Sequence, residues 1–185
     1  MGKKLTEITP ELQEFIERQP MFFVASAPLA GDGHVNVSPK GLDTFRVLTP
    51  RRVAYLDLTG SGIETAAHVT ENGRLTILFC AFAGRPQIVR LFCRGRAIVR
   101  SSEEWPKLIE RFPSHAGGRQ VIIGELQSVQ TSCGYAVPEM ALVAQRDTLT
   151  RWAEAKGDAG LIDYRRRRNR LSLDSLEAPL TDSNG

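Results

Sequence analysis

The sequence contains no apolar run that approaches the roughly 20 residues needed to span a bilayer. Its first fifteen residues, MGKKLTEITPELQEF, carry charge but lack the hydrophobic core of a secretory signal peptide. The three cysteines, Cys80, Cys93 and Cys133, are odd in number and widely spaced, which argues against a disulfide framework and against a zinc site. All three lie in apolar, strand-like runs, so we expect buried, reduced thiols and a cytoplasmic protein.

Sequence signals of several familiar catalytic sites are also missing. The three histidines, His34, His68 and His115, lack metal-ligand spacing, so they are interpreted as surface or supporting residues and no metal site is expected. No Ser/His/Asp or Cys/His arrangement is visible. The glycines at 60 and 62 are followed by neither the G-K-[ST] of a Walker loop nor the third glycine of a dinucleotide fingerprint.

Length and composition favour one soluble domain. The chain has 185 residues, of which 42% are hydrophobic, enough for a sizeable core. The net charge of +3 is too mild to indicate nucleic-acid binding by itself. We expect a domain over residues 1–145, with residues 146–185 as its helical extension and tail.

The most informative stretch is residues 59–74, TGSGIETAAHVTENGR, between the apolar runs RVAYLDL and LTILFCAF. Both runs are rich in β-branched and aromatic residues and predict strands. Ser61 and Glu64 have the spacing of a capping box, which predicts a helix beginning behind the Gly-rich turn. Such a helix points free N–H groups and partial positive charge at the end of the strand, where a phosphate could bind. The alternative is that this segment is only a structural joint.

Other patterns predict an antiparallel barrel. Thr9 and Pro10 predict the start of a first helix, and residues 21–27 and 34–40 predict a hairpin whose second strand, containing Pro39, is an edge or is bulged. Residues 42–51 are interpreted as a loop, and long strands follow at 87–100 and 120–135. In the C-terminal part, two helical pieces are predicted to break near Gly157. About six strands with short connections and few helices suggest a small closed barrel.

Two groups of cations are candidates for binding anions. Lys40 and Arg90 lie on strands that could flank the central turn and converge on a phosphate, although both are also ordinary solvated strand positions. The run RRRRNR at 165–170 would suit nucleic-acid phosphates. Its acidic neighbours, Asp163 and Asp174, and the lack of an aromatic platform favour a solvated helix face instead.

Three stretches in a fixed order, VNVSPKG, YLDLTGSGIETAAHVTENGRLTILF and RPQIVRLFCRGRA, resemble the pyridoxamine 5′-phosphate oxidase-like family over residues 21–138. The tail NRLSLDSL is similar to that of an uncharacterised flavin-binding subgroup. The resemblance implies a mainly β fold with helices (α+β), a six-stranded antiparallel split β-barrel, and a homodimer with FMN at its interface.

The resemblance also implies the cofactor-binding residues. Glu64 and Thr65 fall where the oxidases carry an Arg-Lys pair on the phosphate, and Arg90 falls where they carry a glutamine. No histidine follows His115, so the oxidases' C-terminal Arg-x-His is missing and oxidation of pyridoxamine phosphate is not expected. The predicted FMN-binding residues are Val35, Val37, Ser38, Pro39, Lys40, Leu58, Thr59, Gly60, Ser61, Gly62, Glu64, Thr65 and Arg90.

The expected function is that of an FMN-dependent oxidoreductase of unknown substrate, with no catalytic acid or base identified. One alternative is a flavin-binding or storage protein without its own reaction. Another is a barrel that binds a different planar cofactor, such as a deazaflavin or haem, although no well-placed axial histidine supports haem.

Overall fold

The structure, a computed structural model, describes residues 2–179. Its strands are β1 (Lys4–Leu5), β2 (Phe22–Ser26), β3 (Asn36–Lys40), β4 (Phe45–Thr49), β5 (Arg52–Leu58), β6 (Arg74–Cys80), β7 (Ile88–Val99) and β8 (Gly118–Ser132). Its helices are α1 (Pro10–Glu17), α2 (Glu64–Glu71), α3 (Trp105–Ile109) and α4 (Thr148–Arg168).

The strands form one antiparallel sheet in the order β3-β2-β6-β7-β8-β5-β4, with β1 added to β8. The longest pairing joins β7 to β8, from Ile88 opposite Ser132 to Val99 opposite Gln120. Strand β3 lies at one edge, as Pro39 predicted, because a residue without an N–H is tolerated where no further strand follows. The mainly antiparallel β architecture with helices is therefore confirmed.

The strand count exceeds the six that the sequence predicted. The interpretation of residues 42–51 as a loop was wrong, because β4 occupies part of it and pairs with β5. Phe45 and Val47 pack against the main core. The burial of these side chains, which alternate with Arg46 and Leu48, stabilises the strand. The sequence prediction missed it because the nearby Pro50 favoured a loop.

The sheet buries side chains on both of its faces. The main core contains the aromatic rings of Phe22, Tyr55 and Phe79, with α2 packed against it through Ala66 and Val69. A smaller cluster on the other face is formed by Ala54, Leu56, Ile98, Phe112, Val121 and Ile123. Burial on both faces explains why β5 is apolar along most of its length rather than alternating.

The predicted start of the first helix and the predicted break near Gly157 agree with the structure. The hydroxyl of Thr9 accepts a hydrogen bond from the N–H of Leu12 at 3.4 Å, and Pro10 opens α1. Helix α4 breaks at Gly157, whose φ of 62° lies in the left-handed region that favours glycine. No helix within residues 2–179 is long and apolar enough to cross a membrane.

The cysteine prediction was right for two residues and wrong for the third. Cys80 and Cys93 are buried, and burial together with the charge of Glu125 raises the pKa of Cys93 to about 12. Cys133 is exposed because it follows the last residue of β8, where the sheet that would cover it has ended.

Candidate functional site

A polar pocket of about 410 Å³ opens where β3, the end of β5 and the beginning of α2 meet. Most of the predicted cofactor-binding residues line this pocket: Ser38, Pro39, Lys40, Leu58, Gly60, Ser61, Gly62, Glu64 and Thr65. The other lining residues are Asn36, Asp57, Ile63, Ala66 and Arg119. The fold thus brings together the strand and the turn that the sequence had singled out separately.

Four predicted residues lie outside the pocket lining. Val35 and Val37 expose 72% and 61% of their surface at the edge of the sheet. Thr59 is completely buried behind the turn. The guanidinium of Arg90 donates to the hydroxyl of Ser132 at 3.0 Å. Within one chain, therefore, Lys40 and Arg90 do not converge.

The carboxylate of Asp57 organises the base of the pocket. Its Oδ1 lies 3.2 Å from Lys40 Nζ, and its Oδ2 accepts hydrogen bonds from Arg119 Nε and Gln120 Nε2, each at 2.8 Å. Burial alone would raise the pKa of Asp57, but the charges of Arg119 and Lys40 and the two hydrogen bonds outweigh it. The pKa is consequently well below its usual value.

The sequence prediction missed both Asp57 and Arg119. An available signal was the position of Asp57, the only acidic residue in the otherwise apolar strand RVAYLDL. A carboxylate in a buried strand requires a charged or hydrogen-bonding partner, but the sequence does not say which one.

Arg119 also supports the Gly-rich turn from behind. Its Nη2 donates to the carbonyl of Gly62 at 2.8 Å, and its Nη1 donates to Asn169 Oδ1 at 2.9 Å. Asn169 in turn donates to the carbonyl of Gly60 at 3.1 Å. Arg119 from β8 and Asn169, the residue after α4, therefore hold the two glycine carbonyl groups of the turn in place.

The predicted capping box is wrong. Helix α2 begins at Glu64, with Ile63 as an N-cap that provides no side-chain hydrogen bond. The carboxylate of Glu64 accepts from the N–H of Leu173 at 3.0 and 3.2 Å, so it binds the C-terminal segment rather than returning to Ser61. Among residues 2–179, no acceptor is present for the backbone N–H groups from Ser61 to Ala66.

The prediction that the arginine run is a solvated helix face fails at Arg165 and at Asn169, which is 7% exposed and follows the last residue of α4. Arg165 is only 5% exposed, and its Nε donates to Thr59 Oγ1 at 2.8 Å. The same hydroxyl donates to the carbonyl of Gly117 at 2.9 Å. Arg166, Arg167 and Arg168 are exposed, as predicted. The difference arises because Arg165 shares the buried face of α4 with Leu161, one helical turn earlier.

His68 and His115 contact other protein groups rather than lining the polar pocket. His68 is fully buried, with Nδ1 3.0 Å from the hydroxyl of Ser26. Asn36, in the pocket lining, donates to Ser26 at 3.3 Å and to Thr65 Oγ1 at 3.1 Å. His115 Nε2 lies 3.1 Å from the carbonyl of Leu42. No group of three potential metal ligands occurs in residues 2–179.

The charges of the pocket balance. Lys40 and Arg119 contribute two positive charges, and Asp57 and Glu64 contribute two negative charges. An anion bound here would therefore be attracted mainly by the free N–H groups at the beginning of α2 and by the ammonium group of Lys40. That group uses one of its three hydrogens on Asp57.

Comparison with known proteins agrees with this description. Residues 8–133 match a family model described as pyridoxamine 5′-phosphate oxidase. The chain is 41% identical to the pyridoxamine 5′-phosphate oxidase family protein ustO of Aspergillus flavus, over 91% of this chain and 74% of that protein.

Two solved structures share the fold at low sequence identity. A single-substitution variant of Group A Streptococcus HupZ matches at 20% identity with a TM-score of 0.54, over 68% of this chain and 99% of that chain. A candidate pyridoxamine 5′-phosphate oxidase from Lactobacillus delbrueckii matches at 18% identity with a TM-score of 0.53, over 69% and 98%. These matches confirm the split-barrel fold.

Proposed function

The chain belongs to the pyridoxamine 5′-phosphate oxidase family, and we propose that it binds FMN in the polar pocket and acts as a flavin-dependent oxidoreductase on an unidentified substrate. The observation that carries the proposal is the meeting of β3, with Lys40, and the Gly60–Gly62 turn around one pocket of about 410 Å³.

The residues of the pocket fit a phosphate-bearing cofactor. The N–H groups from Ser61 to Ala66 have no acceptor within residues 2–179, and they lie at the positive end of the α2 dipole. The carbonyl groups of Gly60 and Gly62 are held from behind by Asn169 and Arg119. In this proposal, Lys40 and the turn hold the phosphate, and Thr59 and Arg165 stabilise the turn without touching the cofactor.

The flavin, when bound, would supply the electron-transfer chemistry, while the protein supplies position and electrostatics. In our proposal, backbone groups of Val37, Ser38 and Pro39 lie along the ring. Asp57 holds Lys40 in place through their contact at 3.2 Å. The assignment of Arg90 as a flavin residue remains a prediction, since in one chain its side chain contacts Ser132 instead.

A homodimer is part of the same proposal. Strand β3 is a free edge, and the exposed side chains of Val35 and Val37 form an apolar strip along it. Edge strands with exposed apolar side chains tend to associate with another chain, so a second copy is the natural cover for this edge. A second copy would also complete one side of a pocket that β3 borders.

The test begins with the purified protein and its visible spectrum, followed by release and identification of any chromophore. We expect a yellow protein with about one FMN per chain, reducible by a nicotinamide cofactor. A colourless protein that takes up no added FMN would refute the proposal. Bound FMN without turnover would instead favour a flavin-binding protein without its own reaction.

A variant comparison tests the site itself. Lys40→Ala should weaken FMN binding at least about tenfold while leaving the binding of riboflavin, which lacks the phosphate, nearly unchanged. Lys107→Ala, at an exposed position on α3, is the control for the loss of a lysine. Equal losses for FMN and riboflavin would mean that Lys40 does not contact the phosphate.

A further inference from the structure

A second cavity, of about 650 Å³, adjoins the polar pocket. The two share Pro39 and Lys40, so the end of β3 forms the wall between them. The second cavity has a different character, because its walls are mainly apolar. Among its lining residues are Met21, Leu42, Leu142, Leu149 and Trp152. Its volume is in the range of about 300 to 1,000 Å³ that is typical of small-molecule sites.

The C-terminal part contributes one wall of the cavity. Gln145 donates to the carbonyl of Pro20 at 3.2 Å, which ties the segment before α4 to the residue preceding β2. The ring of Trp152 packs edge-on against Tyr164 with centroids 5.1 Å apart, and the ammonium group of Lys156 lies 5.3 Å from its centroid. Helix α4 therefore supplies an aromatic wall to the cavity.

The ionisable groups that line this cavity carry one sign of charge. Lys40 and Arg146 are its only ionisable lining residues among those that the structure describes, and both are cationic. Lys40 is already paired with Asp57 at 3.2 Å, which leaves Arg146 as the main attraction for an anion. Gln145 and Thr148 add uncharged polar groups. Leu142 keeps 62% of its surface exposed although its side chain lines the cavity. An apolar wall with cations and no carboxylate matches a ligand that is apolar in its body and negatively charged at one end.

From these observations we infer that the second cavity is the substrate site: it binds a flat, apolar ring compound carrying a carboxylate, placed beside the cofactor across Pro39 and Lys40. The ring would pack between Trp152 and the leucines, and the carboxylate would face Arg146. The role as substrate site rests on the proposed flavin function, whereas the binding of an apolar anion does not.

The test measures binding by isothermal titration calorimetry on the full-length protein as purified. The probes are 2-naphthoate and its uncharged analogue 2-naphthamide. We expect saturable binding of one naphthoate per chain, with affinity about tenfold or more above that of the amide. Absence of saturable binding, or equal affinity for the two probes, would overturn the inference.

Two pairs of variants locate the binding. Leu142→Asp places a carboxylate in the cavity and should weaken naphthoate at least about tenfold, whereas Val143→Asp, at a neighbour that is 96% exposed and outside the lining, should leave it unchanged. Arg146→Ala should remove the preference for the acid over the amide, and Arg166→Ala, at an exposed position of α4 outside the lining, should not. Equal effects within either pair would overturn the assignment.

The outcomes also separate this site from the flavin proposal and from a dimer interface. Calorimetry requires no flavin, and FMN uptake is measured on the same samples. Selective naphthoate binding by a protein that takes up no FMN would support the apolar-anion site but overturn its role as a flavin substrate site. If Leu142→Asp converts a dimer to a monomer and the wild-type protein does not bind naphthoate, the cavity is part of a dimer interface and the inference is wrong.

Discussion

Arg165 Nε donates a hydrogen bond to Thr59 Oγ1 at 2.8 Å, across 106 residues of sequence. This contact joins the buried face of α4 to the end of β5, immediately before the Gly-rich turn. Arg165 Nη2 also reaches the carbonyl of Gly118 at 3.4 Å, so a single side chain connects α4, β8 and the site. The C-terminal extension consequently supports the turn beside the pocket without lining the pocket itself.

Arg165→Ala should destabilise the protein by about 2 to 3 kcal/mol, because it leaves buried acceptors without their charged donor. Arg166→Ala, the exposed neighbour in the same run, should change the stability by less than about 0.5 kcal/mol. Urea unfolding followed by circular dichroism measures both. Similar losses of stability for the two variants would show that the buried contacts of Arg165 do not stabilise the protein.

Glu64→Gln should strengthen FMN binding several-fold, since it removes a negative charge beside the proposed phosphate position. The remaining amide oxygen can still accept from the N–H of Leu173, which Glu64 now holds at 3.0 Å. Titration with riboflavin is the control and should give no change. An unchanged FMN affinity would place the phosphate away from the beginning of α2.

Asp57→Asn should lower the free energy of unfolding at pH 7 by about 3 kcal/mol, because Arg119 would lose its buried counter-ion. The lowered pKa of Asp57 means that its contribution is present above the unfolded value of about 3.9 and is lost as the pH falls below it. The difference between wild type and variant should therefore shrink in acid.

Unfolding measured at several pH values from neutral to acid tests this dependence. Asp158→Asn, at an exposed position, is the control and should reproduce the wild-type curve. A difference between wild type and Asp57→Asn that stays constant down to the most acidic pH would contradict the charged state assigned to Asp57.

Thr9→Ala should cost about 1 kcal/mol of stability, since its hydroxyl caps α1, whereas Ser61→Ala should cost nearly nothing. The sequence pattern predicted a cap at both positions. Thermal unfolding of the two variants compares them directly. A loss of stability for Ser61→Ala as large as that for Thr9→Ala would mean that Ser61 does cap α2, contrary to the structure.

The imidazole of His34 bonds Asp174 at 2.7 Å and links the hairpin to the C-terminal segment. The hydrogen bond and charge of Asp174 raise the pKa of His34, so this link is strong below about pH 6.5 and weakens as the pH rises through the raised value. An NMR titration of the His34 ring should show the raised pKa in wild type and its loss in Asp174→Asn. Equal values in the two proteins would exclude the contact.

Local patterns in the sequence determined much of this protein. The runs rich in β-branched and aromatic residues predicted β5 and β6, Thr9-Pro10 predicted the start of α1, and Gly157 predicted the break in α4. The segments around Lys40 and Gly60 also predicted two sides of the pocket. Strand ends and tight turns favour particular residue types within a few positions, so a short segment of sequence is enough to identify them. Such signals depend on neighbours in sequence and can be read without the fold.

The tertiary structure decided the contacts between distant residues. It paired Asp57 with Lys40 and Arg119, buried Arg165 while leaving Arg166 in solvent, and directed Glu64 to Leu173 rather than to Ser61. It also kept Arg90 away from Lys40 within one chain. A charged side chain takes whichever partner the fold brings within about 3 Å, and that choice depends on packing across the whole molecule rather than on its own segment of sequence.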